Sequence, residues 1–337
     1  MSDEKKRHIQ QFEADPLEVV PDQDVRVDRF QPGDELGVAR LYHVVYGDAY
    51  PVEDYYIPER ILALNREMQL CSVVCKTTDG SIVGHGALYR STPPFAGVYE
   101  VGQYLVLKSH RQRGIADLIN RYVYGTLASL VPVETIFGEA VTNHVVTQRF
   151  DLDEGMTDYA LELSLLPAGK GRDGATGRVA CLVQAKTVRD RPHTVHLPSC
   201  YQEVLDFLLA DRDFERTCLP AQGSLPQDRA TSCQTQSFRG TGTARLLVSS
   251  LGNDFPGLMK RLEDEFRAQG CVTFQAFLNL GEEGVGAAVD LLRNRGWFLG
   301  GYLPRWFDTD GLLMQKILEP PDFESMRLAF DKARKLA

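Results

Sequence analysis

Apolar residues recur with two different periods along the first half of the chain. An alternation of two, typical of a strand with one buried face, marks residues 25–30, and runs rich in β-branched and aromatic residues predict further strands. A period near 3.6 predicts amphipathic helices between them. The predicted elements, in chain order, are strand 25–30, helices 34–45 and 58–68, strands 72–77, 82–90 and 98–107, helix 114–130, strand 135–142, helix 145–153 and strand 159–165. This order predicts a mixed α/β fold, with a mostly antiparallel sheet flanked by helices.

The second half of the chain repeats part of this order. Its predicted elements are strand 244–250, helix 256–269, strand 272–278, helix 284–295, strands 297–303 and 311–317, and a short amphipathic helix over 322–335. Between the halves, residues 167–178 hold four glycines, a composition typical of a linker. The predicted organisation is a flexible leader at 1–21, a first domain at 22–168, a linker at 169–177 and a second domain at 178–337.

Composition and charge exclude several classes of protein. A net charge of −9 argues against a general nucleic-acid binder, because phosphate backbones are bound through basic surfaces. The N-terminal residues lack the apolar core of a secretory signal, and no apolar run is long enough to span a bilayer. The seven cysteines match neither a disulfide framework nor a zinc ribbon. We therefore expect a cytoplasmic protein with reduced thiols, no metal site, and no nucleic-acid or membrane partner.

One segment between a predicted strand and a predicted helix carries candidate chemistry. Arg111, Gly114 and Ala116 follow strand 98–107 and open helix 114–130. A helix N-terminus presents unpaired N–H groups and the positive end of the helix dipole, which suits a diphosphate, and Gly114 lets the backbone approach an anion closely. The pattern alone is weak, since a surface turn with solvated arginines has the same residues.

In its order of elements and in this motif, the chain from 22 to about 168 resembles the GNAT superfamily of N-acetyltransferases. The resemblance implies that acetyl-CoA, or another acyl-CoA, is the co-substrate and that its pantetheine arm pairs along the strand end. Asp117 is unfavourable for a phosphate site, because its carboxylate lies just inside the helix, near the bound phosphates. The cofactor-binding residues that the resemblance implies are Leu105, Val106, Leu107, Arg111, Gln112, Arg113, Gly114, Ile115, Ala116 and Asn143.

Glu100 is the candidate general base, because some members of the superfamily carry a glutamate at this point of the strand. An even step of four residues predicts that Glu100 and Tyr104 share one face of the strand. A partly buried carboxylate near an acyl pocket would have the raised pKa that a base needs at neutral pH, whereas a solvent-facing strand glutamate would have no such role. Members of the superfamily often have a tyrosine that acts as the general acid and protonates the leaving thiolate. This chain has Phe150 or Asp151 at that place, and His144 is a candidate substitute for the tyrosine.

The second half resembles the C-terminal part of the same fold without its cofactor loop. Where that loop would lie, residues 252–257 lack the flanking arginine and contain Asp254, which would repel phosphate. We therefore interpret residues 178–337 as a degenerate copy that does not bind CoA. The resemblance implies acyl transfer, with acetyl favoured, from a CoA thioester to a small-molecule or peptide amine. A non-catalytic acyl-CoA-binding regulator and a peptidyl or aminoacyl transferase built on paired domains stay open as alternatives, as does the oligomeric state.

Overall fold

An antiparallel sheet forms the core of the first of two compact units, Met1–Thr92 with Tyr99–Val133, in this computed structural model. The structure describes residues 1–20, 23–167, 177–210 and 214–336. Strands of the first unit pair in the order β1-β2-β3-β4, each antiparallel to its neighbour. Its elements are α1 (Asp3–Ala14), β1 (Val25–Arg29), α2 (Glu35–Tyr46), α3 (Pro58–Arg66), β2 (Leu70–Thr77), β3 (Ile82–Tyr89), β4 (Val98–Val106), α4 (Ile115–Tyr122) and α5 (Ala128–Leu130), with a π-helical turn at Val123–Leu127 between the last two.

Two glycines in β3 allow α4 to lie close against the sheet. A Cβ on Gly86 would stand 2.5 Å from Ile119 Cγ2, and one on Gly84 would stand 2.9 Å from Ile115 and from Ile119. Both isoleucines are buried. The start of α4 is therefore fixed by packing against β3 directly behind it.

The N-terminal segment differs from the loose leader that the sequence predicted. Residues Asp3–Ala14 form α1, which Ser2 caps by accepting the N–H of Lys5. Ile9 and Phe12 are buried, and the ammonium group of Lys5 donates to the carbonyl of Asp48 at 2.9 Å. Only these two large apolar residues lie on the packed face of α1, too few to give a recognisable period.

The second unit, Pro93–Val98 with Glu134–Ala337, is built on a larger sheet. Its strands pair in the order β5-β7-β6-β13-β14-β12-β11-β10, and only β11 and β12 are parallel among the described strands of this sheet. A separate parallel pair joins β8 to β9. The elements are β5 (Thr135–Val141), α6 (Val146–Asp153), β6 (Thr157–Leu166), β7 (Val179–Thr187), β8 (His193–Leu197), α7 (Gln202–Leu209), β9 (Arg216–Pro220), β10 (Ser232–Phe238), β11 (Thr243–Ser250), α8 (Phe255–Ala268), β12 (Thr273–Asn279), α9 (Val285–Arg293), β13 (Phe298–Leu303), β14 (Gly311–Ile317) and α10 (Asp331–Leu336).

The topology of the second unit contains an internal repeat. In β5-α6-β6-β7 the last strand lies between the first and the second, and β12-α9-β13-β14 has the same arrangement. The two copies meet where β6 pairs with β13 at Ala160 and Gly301. This repeat does not follow the two predicted halves, because β7, which belongs to the second half, completes the first copy.

The structure confirms the mixed α/β class with a largely antiparallel sheet flanked by helices. The predicted elements lie within two residues of the observed ones, except at the C-terminus, where α10 covers only the last part of the predicted helix 322–335. Residues 169–176 of the predicted linker lie outside the described ranges. The strand after them, β7, pairs with β5 and β6 on the other side of the linker, so the sheet does not divide at the proposed boundary. Of the helices that the structure describes, none combines the length and the apolar character that a membrane span requires.

Candidate active site

The loop before α4 has the backbone geometry of an open helix N-terminus. Gly114 is the N-cap residue and adopts a left-handed conformation, with φ of 71° and ψ of 12°, and no side chain caps the helix. A Cβ at Gly114 would have no atom within 4 Å, so space lies in front of the first turn. The first N–H groups of a helix have no partner inside the helix, and here they face that space without a capping side chain.

Positive charge surrounds this loop. Arg111 and Arg113 are exposed and precede Gly114 in the chain. Arg111 Nε donates to the carbonyl of Val106 at 3.2 Å, and Arg113 Nη2 donates to the carbonyl of Gln23 at 2.8 Å. Neither arginine has a carboxylate partner within 4 Å among the described residues. Their charges and the helix dipole together favour an anion at the start of α4.

The predicted strand end leads directly into this loop. Leu105 and Val106 pair with His85 and Gly84 of β3, and Leu107 continues the ladder by donating its N–H to Val83 at 2.9 Å. Leu105 and Leu107 are buried, and Val106 is half-buried. The structure thus brings Leu105–Leu107, Arg111–Ala116 and β3 together within the first unit.

A β-bulge in β4 corrects one expectation about its two faces. Glu100 pairs with Tyr89 and Leu105 pairs with His85, so four steps on β3 match five steps on β4. The extra residue lies around Gln103, which has a positive φ of 58°. Since one inserted residue reverses the alternation beyond it, Glu100 and Tyr104 point to opposite faces. The prediction that they share a face is wrong.

The contacts of the two side chains agree with this reversal. The hydroxyl of Tyr104 donates to Asn120 Oδ1 of α4 at 2.7 Å, on the face that α4 covers. The hydroxyl of Tyr89 donates to Glu100 Oε1 on the opposite face. Glu100 is half-buried there.

A buried histidine network supports the bulge. His85 Nδ1 lies 3.0 Å from the carbonyl oxygen of Gln103, and His85 Nε2 lies 3.0 Å from Ser72 Oγ. A carbonyl only accepts, so Nδ1 carries the proton and Nε2 accepts from the serine hydroxyl. Burial lowers the pKa of His85 to about 4, which keeps this tautomer neutral at physiological pH. Asn65 completes the chain by donating to Ser72 Oγ at 3.3 Å.

Several tyrosines surround the side chain of Gln103 on the Glu100 face. Gln103 Oε1 accepts from the hydroxyl of Tyr42 at 2.8 Å and from that of Tyr50 at 2.7 Å. Burial raises the pKa of Tyr50 to about 12; the bond to Gln103 opposes this rise, and the negative charge of Glu100 adds to it. Tyr55 packs at 5.0 Å from Tyr42 and also has a raised pKa, mainly through burial. These tyrosines are therefore neutral hydrogen-bonding groups beside the carboxylate at neutral pH.

Sequence reasoning did not single out Gln103, His85 or these tyrosines. The four tyrosines from position 42 to position 55 were a compositional signal. The bulge had no signal in the sequence, because the positive φ of Gln103 depends on a contact with His85, which is distant along the chain.

The remaining candidates lie in the second unit. Asn143 and His144 are in the loop between β5 and α6, each half-buried, and Asn143 Oδ1 accepts no hydrogen bond from the described residues. Asp151 is buried in α6, where burial raises its pKa to about 7. Phe150 is half-buried in the same helix. In the described ranges, no group of three or more His, Cys, Asp or Glu side chains could hold a metal ion.

Residues 229–231 pack against the turn before α8, at the corresponding place in the second half. A Cβ at Gly252 would stand 2.3 Å from the carbonyl oxygen of Arg229 and 2.7 Å from the nitrogen of Thr231. Asp254 Oδ1 accepts the N–H of Thr231 at 2.7 Å rather than capping α8, and Pro256 lies in the first turn. Asp254 is exposed at the N-cap of α8, so a carboxylate stands there where α4 has Gly114.

Comparisons with known proteins find likeness in structure alone. No protein-family model matches the chain, and no curated protein matches its sequence. A GCN5-related N-acetyltransferase from Kribbella flavida is 19% identical, covers 49% of this chain and 98% of its own, and has a TM-score of 0.36. An N-acetyltransferase from Staphylococcus aureus is 13% identical, with coverages of 49% and 99% and a TM-score of 0.39. The ribosomal-protein-S18-alanine N-acetyltransferase from Escherichia coli is 11% identical, with coverages of 52% and 100% and a TM-score of 0.38. At these values the likeness does not assign a family.

Proposed function

We propose that this protein transfers an acyl group, acetyl being favoured, from a CoA thioester to an amine. The observation that carries the proposal is the open N-terminus of α4, with a left-handed Gly114, no capping side chain and two arginines without carboxylate partners among the described residues. These features fit a diphosphate, which needs N–H donors, close backbone approach and positive charge. Asp117 in the first turn opposes it by charge, so a moderate affinity is expected.

In this proposal the diphosphate of CoA is held by Arg111, Gln112, Arg113, Gly114, Ile115 and Ala116, and its pantetheine arm lies beside Leu105, Val106 and Leu107. Asn143, in the second unit, stays a prediction that rests on the resemblance. CoA, when bound, supplies the activated thioester. The amine nitrogen forms the new bond to the acyl carbon, the carbon–sulfur bond breaks, and the departing sulfur takes a proton. A thiol with a pKa near 8.5 is a fair leaving group without a dedicated acid.

Glu100 is proposed to take the proton that the amine loses. Its carboxylate is half-buried on the face of β4 that carries the tyrosines, and the hydroxyl of Tyr89 fixes one of its oxygens. Tyr50 and Gln103 give this face further neutral polar groups. A small-molecule or peptide amine is the acceptor class that this surface suits.

We also propose that the second half is a degenerate copy that does not bind CoA. The shared order of β5-β7-β6 and β12-β14-β13 supports the relation between the copies. The exposed carboxylate of Asp254 at the N-cap of α8 supports the loss of binding, because it would repel a phosphate.

Replacing Gly114 with glutamate should weaken CoA binding about a hundredfold or more. The substitution fills the space before α4, adds a negative charge at the diphosphate site, and strains the left-handed backbone. Gly80→Glu is the matched control, because Gly80 also has a positive φ, of 89°, and an added Cβ there would meet no atom within 4 Å, but it lies in the β2–β3 hairpin. Calorimetric titration with CoA measures both. Equal affinity of the wild type and Gly114→Glu would remove the site assignment.

A non-catalytic acyl-CoA-binding regulator is the second candidate function. The bond from Tyr89 to Glu100 favours it, since that carboxylate already has a structural partner. Turnover of acetyl-CoA over a panel of amines, followed by release of free thiol, separates the two functions. Binding of acetyl-CoA without turnover of any amine supports the regulator.

If the protein is an enzyme, Glu100→Gln should lower kcat about a hundredfold, since general-base catalysis contributes roughly that much or more. The dissociation constant for acetyl-CoA should stay unchanged, because Glu100 lies outside the diphosphate loop. Glu59→Gln, an exposed glutamate at the start of α3, is the control. Full activity in Glu100→Gln would show that another group, or water, accepts the proton.

A further inference from the structure

Two cavities adjoin beneath the C-terminal segment of the second unit. The first, of about 540 Å³, is lined by Arg149, Arg327 and Arg334 and otherwise by apolar residues and alanine. The second, of about 490 Å³, lies over the faces of β6, β13 and β14 and is mostly apolar. Phe323 lines both cavities.

The first cavity carries unbalanced positive charge. Arg149 is exposed, and its guanidinium group has no hydrogen bond or ion pair within the described residues. Arg327 Nη1 donates only to backbone carbonyls, those of Glu324 at 2.7 Å and Met326 at 3.1 Å. Arg334 pairs with Asp331 at 2.7 Å. Three guanidinium groups thus meet one carboxylate partner, and no acidic side chain lines this cavity in the described part of the chain.

The second cavity exposes apolar surface that a folded chain normally covers. Phe323 is 51% exposed and Leu318 is 40% exposed. The floor of this cavity includes Leu161 and Leu163 of β6 and Phe298 of β13. Glu319 is the one acidic lining residue described, and it lies in this cavity rather than beside the arginines. A ligand with an apolar chain would cover these side chains and remove their apolar surface from water.

We propose that these cavities bind a long-chain alkyl carboxylate, with its head at the arginines and its chain along the apolar cavity. A planar guanidinium group matches a carboxylate in two parallel hydrogen bonds, and Arg149 has its donors available for them. The chain runs past Phe323 onto Leu161, Leu163 and Phe298. Glu319 repels an anionic head from the apolar cavity, which sets the direction of the ligand. This site is separate from the loop before α4 and does not depend on the proposed acyl transfer.

Calorimetric titration of the full chain with dodecanoate, below its micelle concentration, tests the proposal. We expect a dissociation constant on the order of micromolar, and binding roughly tenfold weaker or more in the double variant Arg149→Gln/Arg327→Gln, because charge-assisted hydrogen bonds are lost. Arg267→Gln, at an exposed arginine on α8 that lines neither cavity, should bind as the wild type does. Phe323→Ser should weaken dodecanoate binding, and butanoate should bind far more weakly than dodecanoate to the wild type.

Three results would overturn the proposal. Dodecyltrimethylammonium, with a similar chain and the opposite charge, would bind as tightly as dodecanoate if the arginines played no part. Undiminished affinity in the double arginine variant would show the same. Absence of dodecanoate binding to the folded wild type would exclude the site outright.

Discussion

Replacing Asp310 with asparagine should lower the free energy of unfolding of the second unit by about 3–5 kcal/mol, the usual cost of breaking a buried ion pair. The carboxylate is fully buried. Oδ2 accepts from His193 Nε2 at 3.0 Å, from Arg216 Nε at 2.5 Å and from the hydroxyl of Tyr302, and Oδ1 accepts the N–H of Arg305 at 2.7 Å. An amide in either orientation turns an N–H toward one of these donors, and Arg216, itself nearly inaccessible, loses one of its two carboxylate partners and keeps only Asp190 among the described residues.

Urea unfolding followed by tryptophan fluorescence measures this loss in the right unit, because both tryptophans, Trp297 and Trp306, are buried in it. Asp290→Asn is the control. Its carboxylate is 62% exposed in a surface pair with Arg293, and such pairs contribute about 1 kcal/mol or less. A loss below about 1 kcal/mol for Asp310→Asn would mean that its neighbours reorganise around the amide.

The same cluster shows why its residues had no sequence signal. His193, Arg216 and Asp310 belong to β8, β9 and the segment before β14, and they are separated by up to 117 positions. Nothing local requires an arginine at 216. Arg216 and Asp310 come together only when the β8–β9 pair and the end of β13 are folded.

Local pattern was sufficient for the elements that build the candidate site. The alternation in β1, the apolar runs of β2 to β4 and the helical period after Gly114 predicted the strand, loop and helix order that the structure contains. The open α4 N-terminus follows from a glycine at 114, because this residue adopts a left-handed conformation at little cost. These properties depend on residues that are close in sequence, so the local sequence pattern predicts them.

Long-range pairing accounts for what the sequence missed. The bulge at Gln103 depends on His85, and it reversed the expected relation of Glu100 and Tyr104. Strand β7 lies between β5 and β6, and the glycine-rich segment before β7 gives no indication of this pairing. Strand β10 is largely exposed on both faces, so it lacked the alternation that marks a half-buried strand.

Asp151 carries a property that its place in the sequence does not indicate, since the pattern there shows only the absence of a tyrosine. The structure shows a buried carboxylate in α6, and burial raises its pKa to about 7. A carboxyl group whose folded pKa lies above its unfolded value binds a proton more tightly in the folded chain. Stability from this group is therefore fully present below the unfolded pKa, near 4, and is lost as the pH rises to about 7.

Asp151→Asn should consequently remove a pH-dependent destabilisation. Between pH 5 and pH 8, the wild type should lose about 3 kcal/mol of unfolding free energy through this group, at 1.36 kcal/mol for each unit between 5 and its folded pKa. The variant should lack this loss. Its free energy of unfolding should therefore rise relative to that of the wild type as the pH rises, whatever the pH-independent cost of burying an amide. Tryptophan fluorescence in urea at the two pH values measures the difference.

The control for this prediction lies in the same helix. Asp153 is exposed, and its carboxylate stays in water in the folded and unfolded chains, so Asp153→Asn should keep the wild-type slope. If the free energy of unfolding changed with pH equally in the wild type and in Asp151→Asn, the Asp151 carboxylate would be hydrated in the folded chain. A difference of about 3 kcal/mol would instead establish a carboxyl group that changes charge near neutral pH within α6.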